Sequence, residues 1–152
     1  MIERRAIEDL IDNARRWERD FQHGDLPIVP GRRLAVLACM DARLPVFQVL
    51  GLKTGDAHVI RNAGGLATED ALRSLVVSQG IGTQDVIVVH HTDCGVGRMS
   101  DEELEELGAT RDVEENVRIT LERLRDRLGD GGTLRGFVYE VESGRLREVD
   151  PR

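Results

Sequence analysis

Two short segments of this chain carry side chains that can bind metal ions and move protons. The first covers residues 39–43 (CMDAR), and the second covers residues 90–95 (HHTDCG). Each directly follows a mainly apolar run of strand length, at residues 34–38 and 85–89. In an open α/β sheet, ligands bind beyond the carboxyl ends of the strands. We therefore expect the two segments to meet at one edge of a sheet.

Cys39, His91 and Cys94 have the donor atoms that zinc prefers. Zinc takes thiolate and imidazole ligands in tetrahedral geometry, and catalytic sites use three protein ligands and leave the fourth position open. A closed structural site would need a further ligand such as a third cysteine, and the chain has two. These residues therefore predict one catalytic zinc ion per chain. His90 points the opposite way if the strand continues through it, which favours a packing or supporting role.

Asp41 and Arg43 lie beside the first predicted ligand and could act on a water molecule at the open position. Two thiolates neutralise the charge of the zinc ion, so this water should be acidified less than at a site of three neutral histidines. An arginine fork can hold a carboxylate through two hydrogen bonds. Held in this way, Asp41 could accept a hydrogen bond from the water and leave an oxygen lone pair facing the substrate. Released, Asp41 could instead bind the metal as a fourth ligand.

A third segment, residues 61–65 (RNAGG), follows the second predicted strand. Adjacent glycines let backbone N–H groups approach a ligand or a carboxylate closely. We expect the amides of Gly64 and Gly65 to help hold Asp41. The residues predicted to support the site or to contact the substrate are Arg61, Asn62, Ala63, Gly64, Gly65, His90 and Gly95.

The hydrophobic pattern predicts alternating helices and strands. Residues 2–22 form an amphipathic helix, followed by a linker at residues 27–31. The other predicted helices cover residues 45–50, 68–78 with Thr68 as N-cap, an acidic stretch capped by Ser100, and 113–128. The predicted strands cover residues 34–38, 57–60 and 85–89, and a hairpin follows at 134–141 and 146–149.

This order of elements predicts an α/β fold with a mostly parallel central sheet, an antiparallel edge strand and helices on both faces. We expect a single domain over residues 1–152, because the length suits one domain better than two. Residues 1–22 would form a helical arm, and residues 33–150 would form the α/β core.

The composition argues against two classes of partner. The formal net charge is −7 and the pI about 5.1, so the chain lacks the basic field that binding to duplex DNA requires. No apolar run approaches the roughly 20 residues of a membrane-spanning helix. The N-terminal residues lack the apolar segment of a signal peptide. We therefore expect no nucleic-acid partner, no membrane partner and a cytoplasmic location.

The three segments together resemble the β-class carbonic anhydrases. That family carries Cys-x-Asp-x-Arg, then Arg-Asn, then His-x-x-Cys-Gly. The matching residues here are Cys39, Asp41, Arg43, Arg61, Asn62, His91, Cys94 and Gly95. The resemblance implies a zinc ion on the two cysteines and the histidine, a catalytic Asp–Arg dyad, and reversible hydration of carbon dioxide by zinc-bound hydroxide. It also implies a homodimer, or a higher assembly of dimers, in which the N-terminal helix extends onto the partner.

Several alternatives stay open. Compact members of the superfamily hydrolyse carbonyl sulfide or carbon disulfide on the same metal site. The same ligands could also serve a zinc-binding or redox-sensing protein without turnover. Residues 27–31 lack the glutamine that many members use to orient the substrate. Val36 stands where a subset of the family has the tryptophan of a bicarbonate inhibitory pocket, so we expect no such pocket.

Overall fold

The computed structural model describes residues 5–152, which form five helices and five strands. In chain order these are α1 (Arg5–Arg19), β1 (Leu34–Cys39), α2 (Val46–Leu50), β2 (Ala57–Asn62), α3 (Glu69–Ile81), β3 (Asp85–His91), α4 (Asp101–Leu107), α5 (Val113–Leu128), β4 (Leu134–Tyr139) and β5 (Leu146–Val149). Two short 3₁₀ turns, Ala63–Gly65 and Gly95–Arg98, follow β2 and β3.

The strands form one sheet in the order β2-β1-β3-β4-β5. The first four strands are parallel, and β5 pairs antiparallel with β4 at the edge. Because β1, β2 and β3 are parallel, their carboxyl ends lie side by side, and Cys39 pairs with Asn62 across β1 and β2. The predicted α/β fold with a mostly parallel sheet and an antiparallel edge strand is confirmed.

Side chains alternate between the two faces of the sheet, as the period of a strand requires. In β1, Ala35 and Leu37 pack against α3 and α5 on one face. Val36 and Ala38 pack on the other face, which α2 and the chain just after it cover. The core is aliphatic on both faces, and it holds the strand ends in fixed positions.

The strands and helices that carry the site extend further than the hydrophobic pattern predicts. β2 continues to Asn62, β3 continues to His91, and α3 continues to Ile81. The polar residues at the ends of β2 and β3 stay in the ladder because neighbouring strands supply their backbone partners. The predicted caps form, since Thr68 accepts a hydrogen bond from the amide of Ala71, and Ser100 makes a capping box with Glu103.

Helix α1 stands away from the core. The predicted helix began at residue 2, and its first residues lie outside the part that the structure describes. Every residue from Ile7 to Ile28 is exposed, and the exposed side chains include Leu10, Ile11 and Trp17. Among the described residues, no helix combines the length and apolar character needed to cross a membrane.

Candidate metal centre

Cys39, His91 and Cys94 meet at the carboxyl edge of the sheet. Cys39 is the last residue of β1, His91 is the last residue of β3, and Cys94 follows three residues later. Their ligand atoms all lie within 4.8 Å of one another, and the two sulfurs are 3.9 Å apart. One ion can therefore contact all three side chains with little movement.

The ring of His91 is oriented with one nitrogen toward the two sulfurs. Its Nδ1 lies 2.7 Å from the carbonyl oxygen of Thr92, so Nδ1 carries a proton, and in the neutral ring the lone pair is on Nε2. Nε2 is buried and has no hydrogen-bond partner. Leaving a buried polar atom unsatisfied costs about 1–3 kcal/mol, and a metal ion would satisfy it. The donor set and this orientation fit zinc.

Thr92 is itself fixed by the neighbouring strand. Its amide donates to the carbonyl of Tyr139 at 2.9 Å, and its hydroxyl accepts from the amide of Val141 at 3.0 Å. The carbonyl that sets the tautomer of His91 is therefore held by β4 and the chain after it. The spacing of ligand residues gave no signal for Thr92, because the contact comes from its backbone.

The pKa values of the two thiols shift in opposite directions. The hydrogen bond from Cys94 lowers the pKa of Cys39, and His91 and the backbone amides of Asp41 and Gly64 act in the same direction. The pKa of Cys94 is raised, first by its hydrogen bond to Cys39 and then by burial. The pair therefore favours one thiolate and one thiol, and a bound dication would favour the thiolate form of both.

Asp41 is held by Arg43 at the edge of the cluster. The guanidinium donates from Nε to Oδ1 at 3.1 Å and from Nη2 to Oδ2 at 2.9 Å, and the backbone amide of Arg43 donates to Oδ1 at 2.8 Å. These bonds to Arg43 hold the pKa of Asp41 well below its usual range, so the carboxylate is an acceptor only. Its Oδ2 lies 3.6 Å from Nε2 of His91.

Arg43 has a second carboxylate partner that sequence reasoning missed. Its Nη1 donates to Oδ2 of Asp93 at 3.0 Å, and its Nη2 donates to the carbonyl oxygen of Asp93 at 3.0 Å. Arg98 donates to the other carboxylate oxygen of Asp93 at 3.1 Å. The only sequence signal was a charged residue directly before the ligand Cys94, which by itself is a common surface pattern.

Arg61 and Asn62 shape the loops around the ligands. Arg61 donates to the carbonyl oxygens of Cys39, Asp41 and Leu44 at 2.9, 2.8 and 3.0 Å, so it holds the segment after β1. The amide side chain of Asn62 bonds both the N–H and the C=O of Leu66, which closes the turn after β2. Both residues therefore act on backbone groups near the cluster.

The glycines after β2 do not hold Asp41, and that expectation is wrong. Arg43 occupies both carboxylate oxygens of Asp41, and the amide of Gly64 instead acts on the sulfur of Cys39. Gly65 has φ +65°, and a Cβ there would lie 2.9 Å from the amide nitrogen of Cys39. Gly65 thus permits the close approach of this turn to the end of β1.

The remaining predicted residues lie around the site in different ways. His90 is buried on the opposite side of β3, and its Nε2 lies 2.9 Å from the carbonyl oxygen of Gly65. Burial lowers the pKa of His90 to about 4, so the ring is neutral near pH 7. Ala63 is exposed at the start of its 3₁₀ turn. Gly95 begins the turn after Cys94, and a Cβ there would meet no atom within 4 Å.

A cleft of about 340 Å³ opens beside the ligands on the side of α5. Its walls include His91, Cys94, Val96, Thr110, Arg111 and Asn116. The lining mixes apolar and polar groups, so a small uncharged molecule and a small anion could both approach Cys94 through it. A cleft of this size has room for a molecule of a few atoms together with water.

Comparisons with known proteins decide the family. A family model described as "Carbonic anhydrase" matches residues 34–132. The chain is 42% identical over 162 residues to β-carbonic anhydrase 1 of Mycobacterium tuberculosis. This alignment covers 96% of this chain and 99% of that protein. The chain belongs to the β-carbonic anhydrase family. The family resemblance and the expectation of an enzyme of this family are thereby confirmed.

Two further relatives of this chain differ in their named activities. The crystal structure of carbonic anhydrase from Streptococcus mutans matches this chain with a TM-score of 0.84 at 35% identity, over 99% of this chain and 100% of that chain. A carbon disulfide hydrolase of Acidithiobacillus thiooxidans is 33% identical, over 95% of this chain and 89% of that protein. This chain is therefore similar to proteins named for two different activities.

Proposed function

We propose that this protein catalyses the reversible hydration of carbon dioxide to bicarbonate and a proton, with one zinc ion per chain. A single observation carries the proposal. The carboxylate of Asp41, held by Arg43, lies beside a buried and unpartnered His91 nitrogen that faces two cysteine sulfurs. This arrangement combines three metal ligands with a hydrogen-bond acceptor for a fourth, non-protein ligand.

Cys39, His91 and Cys94 would hold the zinc ion. When bound, zinc supplies the Lewis acid that lowers the pKa of a water molecule toward neutrality. Asp41 is placed to accept a hydrogen bond from that water, because Arg43 leaves it ionised and fixed. This hydrogen bond to Asp41 would leave an oxygen lone pair of the water free to face the carbon of the substrate. Thr92 keeps Nδ1 of His91 protonated, so Nε2 remains available as a ligand.

Hydrolysis of carbon disulfide or carbonyl sulfide is the second candidate function. It is favoured by the relatives named carbon disulfide hydrolase, one of which has a solved structure that matches this chain with a TM-score of 0.74 at 31% identity. The three linear triatomic substrates need the same nucleophile at an electrophilic carbon. The protein named β-carbonic anhydrase 1 is 42% identical over 96% of this chain. The hydrolase of Acidithiobacillus thiooxidans is 33% identical over 95%, and that of Acidianus is 42% identical over 64%, so identity and coverage together support carbon dioxide as the first choice.

The test compares the three substrates on one preparation of known zinc content. Carbon dioxide hydration is followed by stopped-flow with a pH indicator, and hydrogen sulfide release is followed with carbonyl sulfide and carbon disulfide. We expect stoichiometric zinc and the highest kcat/KM with carbon dioxide. We also expect a rate that rises from about pH 7 upward, because the nucleophile must lose a proton. A higher kcat/KM with either sulfur compound would identify the second candidate.

Bound zinc without turnover of any of the three substrates would contradict both enzyme proposals. That result would favour a non-catalytic zinc-binding or redox-sensing protein, for which the sulfur pair 3.9 Å apart is the relevant feature. Asp41→Asn is the matched control of reduced activity, since it changes one atom of the acceptor and keeps the size of the side chain.

We further propose a homodimer, alone or within a higher assembly, in which α1 packs on the partner chain. The exposed apolar side chains Leu10, Ile11 and Trp17 support this proposal, because burying them against a second chain removes them from water. A cytoplasmic location is proposed from the two free cysteines, which a reducing compartment keeps as thiols or metal ligands. The proposal of one domain over residues 1–152 rests on the single sheet that organises the core.

A further inference from the structure

Arg43 divides its hydrogen bonds between two loops. Two side-chain donors go to the carboxylate of Asp41 on the loop after β1, and two go to Asp93 on the loop after β3. The Asp93 contacts use one carboxylate oxygen and the backbone carbonyl oxygen. The guanidinium thus joins the loop of the first cysteine ligand to the loop of the second.

Asp93 adopts an unusual backbone conformation to make these contacts. Its φ is +52°, in the left-handed region that side chains other than glycine rarely enter. Aspartate tolerates this region better than most residues, but the conformation still carries a cost. Strained residues of this kind persist where their surroundings require them, and they cluster at functional sites. In this conformation, two oxygens of Asp93 accept hydrogen bonds from Arg43. The next residue, Cys94, lies in the metal cluster.

Arg98 fixes the carboxylate of Asp93 from the other side. It donates to Oδ1 at 3.1 Å, and Arg43 donates to Oδ2 at 3.0 Å. The resulting row of alternating charges runs from Arg98 through Asp93 and Arg43 to Asp41. Without the Asp93 carboxylate, the Arg43 side chain, which is 48% exposed, would keep only Asp41 and the backbone carbonyl oxygen of residue 93 as partners. Asp41 and Arg43 are two residues apart on the same loop, so they could then move as a unit.

We propose that Asp93 is a positioning residue that acts through Arg43 to keep the Asp41 carboxylate off the metal ion. The starting point of Asp41 is close to the metal position, because Oδ2 lies 3.6 Å from Nε2 of His91. Small movement of the Asp41–Arg43 pair would therefore bring a carboxylate oxygen to the open ligand position. This inference rests on the proposed metal site and adds a residue that controls access to it.

The test measures access to the metal without measuring turnover. Cobalt(II) replaces zinc, and azide is titrated near neutral pH while the visible absorption of the cobalt is followed. In Asp93→Ala, Asp41 competes with azide for the open position, so we expect azide to bind about tenfold more weakly than in the parent protein. Asp93→Asn keeps an oxygen acceptor for Arg43 and should bind azide as the parent does. Glu148→Ala removes an ion pair of similar exposure with Arg135, far from the site, and should also leave binding unchanged.

A double-mutant cycle separates this role from a merely structural one. In Asp41→Ala there is no carboxylate to reach the metal, so adding Asp93→Ala should not weaken azide binding further. Equal azide affinity in Asp93→Ala and the parent would overturn the proposal, and so would the same loss in the Asp41→Ala background. Turnover assays of the parent test the proposed function separately, since the azide titration gives its result whichever substrate is turned over.

Discussion

At the scale of single residues, the chemistry of the site comes from how each donor atom is supported. The carbonyl of Thr92 sets the tautomer of His91, and the hydrogen bond from Cys94, with the amide of Gly64 in support, favours the thiolate of Cys39. Arg43 keeps Asp41 ionised through paired hydrogen bonds. Each of these functional atoms thus has neighbours that favour one protonation state, which is how metal ligands are commonly tuned.

Replacing either cysteine should remove the metal. We expect Cys39→Ala and Cys94→Ala each to lose stoichiometric zinc, because two protein ligands do not complete a tetrahedral site. Zinc content after gel filtration, measured by plasma emission spectrometry, checks this outcome. Met40→Ala is the matched control, since Met40 is an exposed sulfur-containing neighbour of Cys39. Full metal content in either cysteine variant would make the ligand assignment wrong.

Replacing Asp41 by asparagine should lower the catalytic rate without affecting metal binding. The Asp41→Asn variant keeps all three ligands, so its zinc content should match the parent. Its kcat should fall roughly 10- to 100-fold, because the amide cannot act as an acceptor through both of its terminal atoms. Asp56→Asn changes another arginine-paired aspartate, 3.2 Å from Arg32, and should leave kcat unchanged. An unchanged kcat in Asp41→Asn would remove this carboxylate from the mechanism.

At the scale of elements, the close packing of α5 on β4 holds the ligand-bearing edge in place. β4 pairs with β3 in register, so that Tyr139 lies opposite His91. Gly136 in the middle of β4 allows the helix to approach, since a Cβ there would lie 2.4 Å from Val117 and 2.9 Å from Leu121 on α5. The position of His91 therefore depends on a helix that contributes no metal ligand.

A methyl group at Gly136 should push α5 away from the sheet. We expect Gly136→Ala to lower the free energy of unfolding by about 1–3 kcal/mol, because added volume in a packed core forces side chains and backbone to shift. Urea denaturation followed by circular dichroism measures the change. Gly131→Ala is the matched control, since a Cβ at Gly131 meets no atom within 4 Å. Equal stability of the two variants would contradict the close approach of α5.

At the scale of the whole molecule, the core and the arm differ in what covers them. The two faces of the sheet are buried by helices and loops of the same chain. Helix α1 instead exposes Leu10 and Trp17, which are 66% and 58% accessible. The described chain thus covers its own core and leaves the apolar side chains of the amphipathic helix α1 exposed.

Removing the arm should change the oligomeric state. We expect deletion of residues 1–22 to convert a dimer into a monomer or to unfold the chain, because the apolar stripe of α1 would be buried in the interface. Light scattering coupled to gel filtration measures the mass. Point variants separate the two outcomes, since Leu10→Glu with Trp17→Glu should dissociate the dimer while the exposed polar change Arg15→Ala should not. A monomeric parent protein, or a dimer that survives these changes, would refute the role of α1.

The sequence by itself predicted a candidate ligand set and determined the class of fold. Cys39, His91 and Cys94 have distinctive chemistry and follow buried strands, and parallel strands bring their carboxyl ends to one edge. The alternation of apolar runs with amphipathic segments likewise predicted the order of the strands and helices. These features depend on residue type and short-range spacing, which can be read directly from a chain.

Only the tertiary structure decided which groups hold Asp41 and the ligands. Gly64 and Gly65 were expected to hold Asp41, but Arg43 does so, and Asp93 holds Arg43 from 50 residues away. The direction of a backbone amide and the pairing of distant side chains depend on the angle at which two loops meet. That angle is set by packing of the whole core, including Gly136 against α5. No local pattern in the sequence encodes it.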